Sequence, residues 1–164
     1  VQKLGDEFIH FGRIQDGKIE DVQNVNAKID DNRRQQIRRN HTATHLLHQA
    51  LRKIVGDHVQ QAGSLVNAEL LRFDLTHYEQ ISRSQINELE QCVNSVILQN
   101  IDVETNVKNF DDAREEGAVG LFGEKYGDTV RVVDIPSFSK ELCGGTHVNR
   151  TGDIGAIKII SVSA

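Results

Sequence analysis

Methionine and tryptophan are absent from these 164 residues, proline occurs once, and cysteine occurs twice. Each shortage excludes something. Two cysteines, Cys92 and Cys143, cannot build a disulfide framework, so a reducing compartment is the default and the cytoplasm the expected location. No apolar run approaches the length of a membrane span. No basic segment followed by an apolar core reads as a secretory leader. The chain starts at Val1 without a methionine anywhere, and it reads as a piece of a longer protein. Positive charge is also in short supply, with 19 Lys+Arg against 24 Asp+Glu and a net charge of −5, which rules out a generally basic nucleic-acid coat but not a local basic patch. What is present is ordinary for a globular chain, 38% hydrophobic and 26% charged. A chain this long buries roughly two-thirds of its unfolded surface and needs no covalent staples.

The first thirty residues read as strands. Residues 7–11 precede Gly12, and Asp16-Gly17 is a tight-hairpin signal. Val22, Val25, Ala27 and Ile29 continue in short, weakly apolar stretches. Residues 1–32 are therefore expected to be the end of a small β-barrel-like subdomain, with residues 33–164 as the main domain. Asp30 and Asp31 offer an N-cap for a helix from Asn32 to about Val55, with the stripe Ala43, Leu47, Ala50 and Ile54 and a stop at Gly56. Residues 71–76 alternate as a strand. Ser82 and Gln85 form a capping box for a second helix ending near Asn100, with Ile86, Leu89, Val93, Val96 and Ile97 buried. Strands are predicted at 101–107, at 129–135 (cut by Pro136) and at 156–162, with a short helix at 110–116. The order is mostly not βαβ, so the predicted class is α+β, with helices on one face of an antiparallel sheet.

Two clusters carry chemistry. His41 and His45 lie four apart on the first helix, on one face and opposite the apolar stripe, with His48 and Arg52 on their side. A solvated face that happens to hold histidines explains this equally well. Cys143-Gly144-Gly145-Thr146-His147 puts a cysteine and a histidine four apart in a glycine-rich loop, where the backbone can fold tightly enough for both to converge. Alone, that pair reads as metal ligands, as nucleophile and base, or as a buried thiol beside an unrelated histidine. Together the clusters make a donor set of the softness Zn²⁺ prefers. They lie about a hundred residues apart, too far for a zinc finger. A zinc-protease reading fails because Thr42 stands where that helix needs its glutamate. Phosphate-binding and Gly-x-Ser-x-Gly loops are missing as well.

Arg33, Arg34, Arg38 and Arg39 crowd the start of the first helix, where the helix dipole disfavours positive charge. A solubilising helix end is one explanation. A phosphate backbone approaching the candidate metal site is the other. Cys92 reads as a small core residue. His10, His58 and His77 have no partner that the sequence identifies, and His48 is expected to be exposed or to support the ligands.

These motifs resemble those of a known family. Arg38-Arg39-Asn40-His41-Thr42-Ala43-Thr44-His45-Leu46-Leu47-His48 resembles the opening of the editing domain of alanyl-tRNA synthetases, and Leu142-Cys143-Gly144-Gly145-Thr146-His147 resembles its closing metal motif. Residues 61–66, 71–74 and 120–128 fall between them in the family's order, so the resemblance covers the whole chain. The domain is shared with free-standing deacylases and, more distantly, with threonyl-tRNA synthetase. The 120–128 run and the strands at the start fit the synthetase better.

The resemblance implies hydrolysis of the ester of alanine tRNA wrongly charged with serine or glycine. It implies one Zn²⁺ per chain, held by His41, His45, Cys143 and His147. Thr44, Gln61 and Ser64 are expected beside the aminoacyl group, and Gly144 and Gly145 to offer backbone N–H donors to the oxyanion. Arg33, Arg34, Arg38, Arg39 and Arg72 are assigned to the tRNA. The implied partners are the mischarged 3′ end of alanine tRNA and the remaining synthetase domains, with no membrane and no DNA.

The need is physical. A synthetic site for alanine cannot exclude the smaller glycine and rejects serine only modestly. A second site that hydrogen-bonds the seryl hydroxyl discriminates better, because alanine leaves its polar groups unpaired. Thr44 or Gln61 is the candidate for that contact. Four protein ligands usually close a zinc site, which leaves open a metal that expands its shell, loses a ligand or only orders the pocket. Two rival readings remain at this stage: a non-catalytic tRNA-binding module with structural zinc, and a zinc hydrolase for another class of substrate.

Overall fold

The computed structural model describes residues 1–5, 7–18, 24–120 and 126–163. Val22 and residues 121–125 of the 120–128 run lie outside the described residues. The chain order is β1 (Gln2–Leu4), β2 (Glu7–Ile9), α1 (Asp31–Ile54), β3 (Gln61–Val66), β4 (Leu71–Leu75), α2 (Arg83–Leu98), β5 (Glu104–Asn109), α3 (Phe110–Glu115), β6 (Thr129–Ile135) and β7 (Ser139–Leu142), closed by a 3₁₀ turn at Thr151–Ile154. All strand pairings are antiparallel, in sheets ordered β1-β2, β3-β4 and β5-β6-β7. The α+β class is what the sequence pattern implied.

Local chemistry explains both long helices. Asp30 caps α1 by accepting from the Arg33 N–H, and Arg52 and Lys53 sit in the last turn, where the helix dipole favours them. Ser82 and Gln85 form the reciprocal capping box of α2. The main core lies between these helices, where Ala43, Leu46 and Ala50 of α1 meet Leu89, Val93 and Ile97 of α2. Each large side chain buried there is worth about 1.5–3 kcal/mol.

The three-stranded sheet positions the site. Successive β6 side chains point to opposite faces. Val130 and Val132 pack with Ala113 of α3 and Leu142, whereas Ile135 packs into the α1–α2 core. The sheet therefore carries α3 on one face and α1 on the other, rather than all helices on one face. Glu141, opposite Val133 in the β6–β7 register, points toward α1. The histidine face of α1 is thus covered, with His45 and His48 both buried.

Two expectations are corrected. The described part of the N-terminal segment carries the β1–β2 hairpin, whose turn contains Gly5 at φ 61°. Asp16-Gly17 is a bend rather than a tight hairpin turn, and no strand flanks it among the described residues between β2 and α1. Residues 156–162 form no strand. Their backbone finds partners on α2 instead: Asn94 donates to the Ile157 carbonyl and accepts from the Ile157 N–H, and Glu90 accepts from the Ile159 N–H. A helix side chain bonding both groups of Ile157 replaces a neighbouring strand.

The 3₁₀ turn is tied to α2 through Thr151, which is fully buried. Its hydroxyl donates to the Val96 carbonyl and accepts from the Ile101 N–H, each at 2.9 Å. Thr151→Val keeps the shape and leaves both groups unpaired, so it should destabilise the fold by about 1–3 kcal/mol in denaturant titration. A loss below about 0.5 kcal/mol would show that the bonds contribute little.

Candidate metal centre

The four donors predicted from sequence converge. One donor atom from each of His41, His45, Cys143 and His147 lies within 4.8 Å of the others, and the Cys143 sulfur is 3.4 Å from His41 Nε2. The three imidazoles are mutual neighbours, with centroids 4.4–5.3 Å apart.

Two partners fix which nitrogen faces the centre. His45 Nδ1 lies 2.6 Å from Glu141 Oε2, and a carboxylate only accepts, so Nδ1 carries a hydrogen and Nε2 is the nitrogen turned toward the centre. Thr42 does the same for His147. Its one hydroxyl hydrogen goes to the Arg38 carbonyl at 3.0 Å, and its oxygen accepts from the Val148 N–H at 3.1 Å. At 3.3 Å, His147 Nδ1 must therefore donate to it, which frees His147 Nε2. His45 Nε2 and His147 Nε2 are the two buried side-chain atoms with no hydrogen-bond partner among the described residues. Two unpartnered ring nitrogens aimed at one point beside a thiol form a site that could hold a metal ion.

The loop from Cys143 to Asn149 is clamped from two elements. The Arg131 carbonyl on β6 accepts from the Cys143 N–H at 2.9 Å, and its guanidinium donates to the Gly145 carbonyl. Arg38 on α1 donates to the His147 carbonyl and, at 2.9 Å, to Asn149 Oδ1. Gly145 has a steric reason to be glycine, because a Cβ there would collide with the His41 ring, 2.5 Å from Nδ1. Gly144 faces open space.

The electrostatics follow from burial and pairing. Burial opposes ionisation of Cys143, but the neighbouring imidazoles of His147, His41 and His45 outweigh it and hold the thiol down to about 3. Burial likewise opposes charge on His45, yet Cys143 and Glu141 raise it to about 10. Glu141 is only 5% exposed; burial pushes its carboxyl up, and bonds from His45 and His48 bring it down to about 2. Burial lowers His147. Without metal, these neighbours favour charge on His45 and on Cys143, with the Glu141 carboxylate behind the ring.

The remaining predicted residues are spread around this centre. Thr44 is buried, and its hydroxyl donates to the Asn40 carbonyl at 2.9 Å, so its oxygen is left to accept. Gln61 and Ser64 pair with each other at 3.1 Å on β3. Gln61 and His48 line a cavity of about 320 Å³, and His48 reaches the centre through Glu141 at 3.1 Å. Arg34 and Arg38 line a second cleft, which reaches Thr146 and His147. Arg33 and Arg39 are exposed, whereas Arg72 is engaged by both oxygens of Asp74 at 2.9 and 3.0 Å. Sequence reasoning missed Glu141, Arg131 and Thr42. Glu141 carried one signal, an acidic residue two before Cys143. The other two carried none, since their work is done by contacts distant in sequence.

A thiol and three imidazoles, two of them oriented from behind, make a cluster that could hold a metal ion, built on a helix and a loop that comes back to it. Residues 130–164 match the family described as threonyl and alanyl tRNA synthetase second additional domain. The chain is 52% identical over 161 residues to an alanine–tRNA ligase of Legionella pneumophila (strain Corby), covering 98% of this chain and 19% of that protein. It is 53% identical over 163 residues to the alanine–tRNA ligase of Thermoanaerobacter sp. (strain X514), covering 99% and 19%. It is 53% identical over 157 residues to that of Fervidobacterium nodosum, covering 96% and 18%. Over nearly its whole length it is homologous to a segment of alanine–tRNA ligases, and it spans about a fifth of the length of the curated relatives it matches. No helix among the described residues is long and apolar enough to cross a membrane.

Two predictions follow from this geometry. Gly145→Ala should displace His41 and weaken metal binding at least tenfold, while Gly144→Ala should leave it unchanged, as read by metal competition with a chelating dye. Equal effects at the two glycines would contradict the steric account. The second concerns protons. His45 is raised, so its stabilisation of the metal-free fold is complete below about 6.5 and disappears as pH rises through about 10. Metal must displace that proton from Nε2, whereas Cys143 has none to give at neutral pH. Zn²⁺ titrated at pH 8 into the metal-free protein should release about one proton, by calorimetry in buffers of different ionisation enthalpy. Release of none would mean a neutral His45, and release of two a Cys143 that keeps its hydrogen beside the charged ring.

Proposed function

We propose that this chain is the proofreading segment of an alanine–tRNA ligase, hydrolysing the ester that joins serine, or glycine, to alanine tRNA. The observation that carries the proposal is the pair of unpartnered ring nitrogens of His45 and His147 beside His41 and Cys143, in a chain homologous to those ligases. Zn²⁺ is the metal this donor set suits, being soft enough for a thiolate and at home among imidazoles. Held by these four side chains, it supplies Lewis acidity toward an ester carbonyl or a water.

The chain's own residues supply discrimination and positioning. Serine differs from alanine by one hydroxyl, which both donates and accepts. Gln61 and Ser64 satisfy each other through a single bond, leaving the Ser64 hydrogen to donate and the Gln61 Oε1 to accept. Thr44 offers an acceptor alone. Thr44 is the buried one of the three, so an alanyl group that leaves its acceptor unpaired costs about 1–3 kcal/mol, a preference of roughly five- to a hundredfold or more for serine. Backbone N–H groups of Gly144 and Gly145 are proposed as oxyanion donors. Arg33, Arg34 and Arg39 are the proposed phosphate contacts. Arg38 and Arg72 spend much of their donor capacity inside the protein, so their share in tRNA binding is smaller. The partners are the mischarged end of alanine tRNA and the other parts of the ligase, in the cytoplasm.

Donor count favours a second reading. Four protein ligands complete a tetrahedral shell, which is the signature of a structural zinc in a tRNA-binding module. Turnover separates the two. Seryl- and alanyl-alanine-tRNA should both be offered to this chain, alone and joined to the rest of its ligase, with zinc measured on the same samples. The editing reading predicts about one zinc per chain, fast loss of serine, slow loss of alanine, and loss of activity in Cys143→Ala. Stoichiometric zinc without seryl-ester hydrolysis in the joined protein would favour the structural reading.

A further inference from the structure

The chain's two tyrosines have opposite surroundings. Tyr126 stacks on Phe110 over a core cluster. Tyr78 is 80% exposed, yet it belongs to an ordered stack. Its ring lies 5.1 Å from that of His58 at 28°, and 5.2 Å from that of His77. His58 and His77 stack at 5.1 Å, with His58 Nε2 and His77 Nδ1 2.9 Å apart. The backbone holds the group in place. The Thr76 N–H donates to the Gln60 carbonyl at 3.0 Å, and the Gln60 N–H returns a bond to Thr76 Oγ1 at 3.2 Å. Gly56, at φ 141°, leaves room for the His58 ring where a Cβ would stand 2.7 Å from Nδ1.

Such a stack gains little from burial, and its chemistry suits a flat ring. A metal is a poor fit, because no third donor joins the two imidazoles in a cluster among the described residues. A phosphate is a poor fit too. Arg52 faces Asp57 at 3.7 Å, and Lys53 lies over the Phe138 ring at 4.1 Å, so the nearby cations are already engaged. A heteroaromatic ring stacks on exposed tyrosine and histidine whatever its sequence. Beside the rings, Asp57 and Gln60 line the 320 Å³ cavity that Gln61 and His48 also line, and Asp57 and Val59 flank His58 in the chain. They offer donors and acceptors to the edge of a base.

We propose that the His58–His77–Tyr78 stack is a platform for an unpaired RNA base, built from side chains outside the four-donor cluster and opening on the cavity that Gln61 and His48 share. That the ring belongs to RNA rests on the function proposed above. The chain lacks tryptophan, so Tyr126→Phe leaves Tyr78 as the one fluorescent tyrosine. In that background a short single-stranded oligoadenylate should quench the emission saturably. With labelled oligoadenylate, Tyr78→Ala and His58→Ala should each weaken binding by about 5- to 100-fold, as expected for one stacked base, and Tyr78→Phe should not. The salt dependence should keep its slope, because no phosphate contact is removed. Unquenched emission, or affinity unchanged in Tyr78→Ala and His58→Ala, would overturn the platform. Deacylation of seryl-alanine-tRNA by the unaltered protein is measured in parallel. Turnover without platform binding defeats this inference alone, and platform binding without turnover defeats the editing reading alone.

Discussion

One buried carboxylate joins the two halves of this molecule. Glu141, on the last strand of the sheet, accepts from His45 and His48 on the long helix and from Ser139 beside it. An ionised carboxylate taken out of water is costly unless its lone pairs are met, and here three donors meet them. The same bonds fix His45 with its hydrogen on Nδ1. Removing the carboxylate would therefore leave two buried imidazoles without a partner and free the ring that must point at the centre. Breaking buried pairs of this kind typically costs about 3–5 kcal/mol.

That constraint explains why the long helix is buried on opposite sides. Its apolar stripe meets the second helix, and its histidine face meets the sheet. Thr42 repeats the logic on the other ligand arm. One hydroxyl closes a bond within its own helix, receives the Val148 N–H, and orients His147. Arg38 and Arg131 then hold the loop by its carbonyls, so the centre is assembled by groups that do not touch it directly. The exposed arginines are left at the helix start, where a chain of net charge −5 presents its local positive end.

Much of this was legible in the sequence, for reasons that differ by element. Both long helices announce themselves through local signals, an aspartate cap and a Ser82–Gln85 box ahead of a 3.6-residue stripe. The four-donor cluster was legible because two pairs of metal-type donors at i, i+4 spacing are unusual. The strand β7 was missed because its four residues are too short for a period to show. Residues 156–162 looked like a strand because alternation reports burial on one side, and α2 supplies that burial as well as a neighbouring strand would. Gly145 was read as a turn former and N–H donor; its proximity to His41 depends on an approach between residues about a hundred apart, which no local pattern records.

The central claim is that His41, His45, Cys143 and His147 together hold one metal ion, and the most direct test is X-ray absorption at the zinc edge of the zinc-loaded chain. The account predicts a first shell with one sulfur and nitrogen donors of imidazole type, and loss of the sulfur scatterer alone in Cys143→Ser. A shell without sulfur, or zinc that fails to bind stoichiometrically to a folded chain, would contradict it.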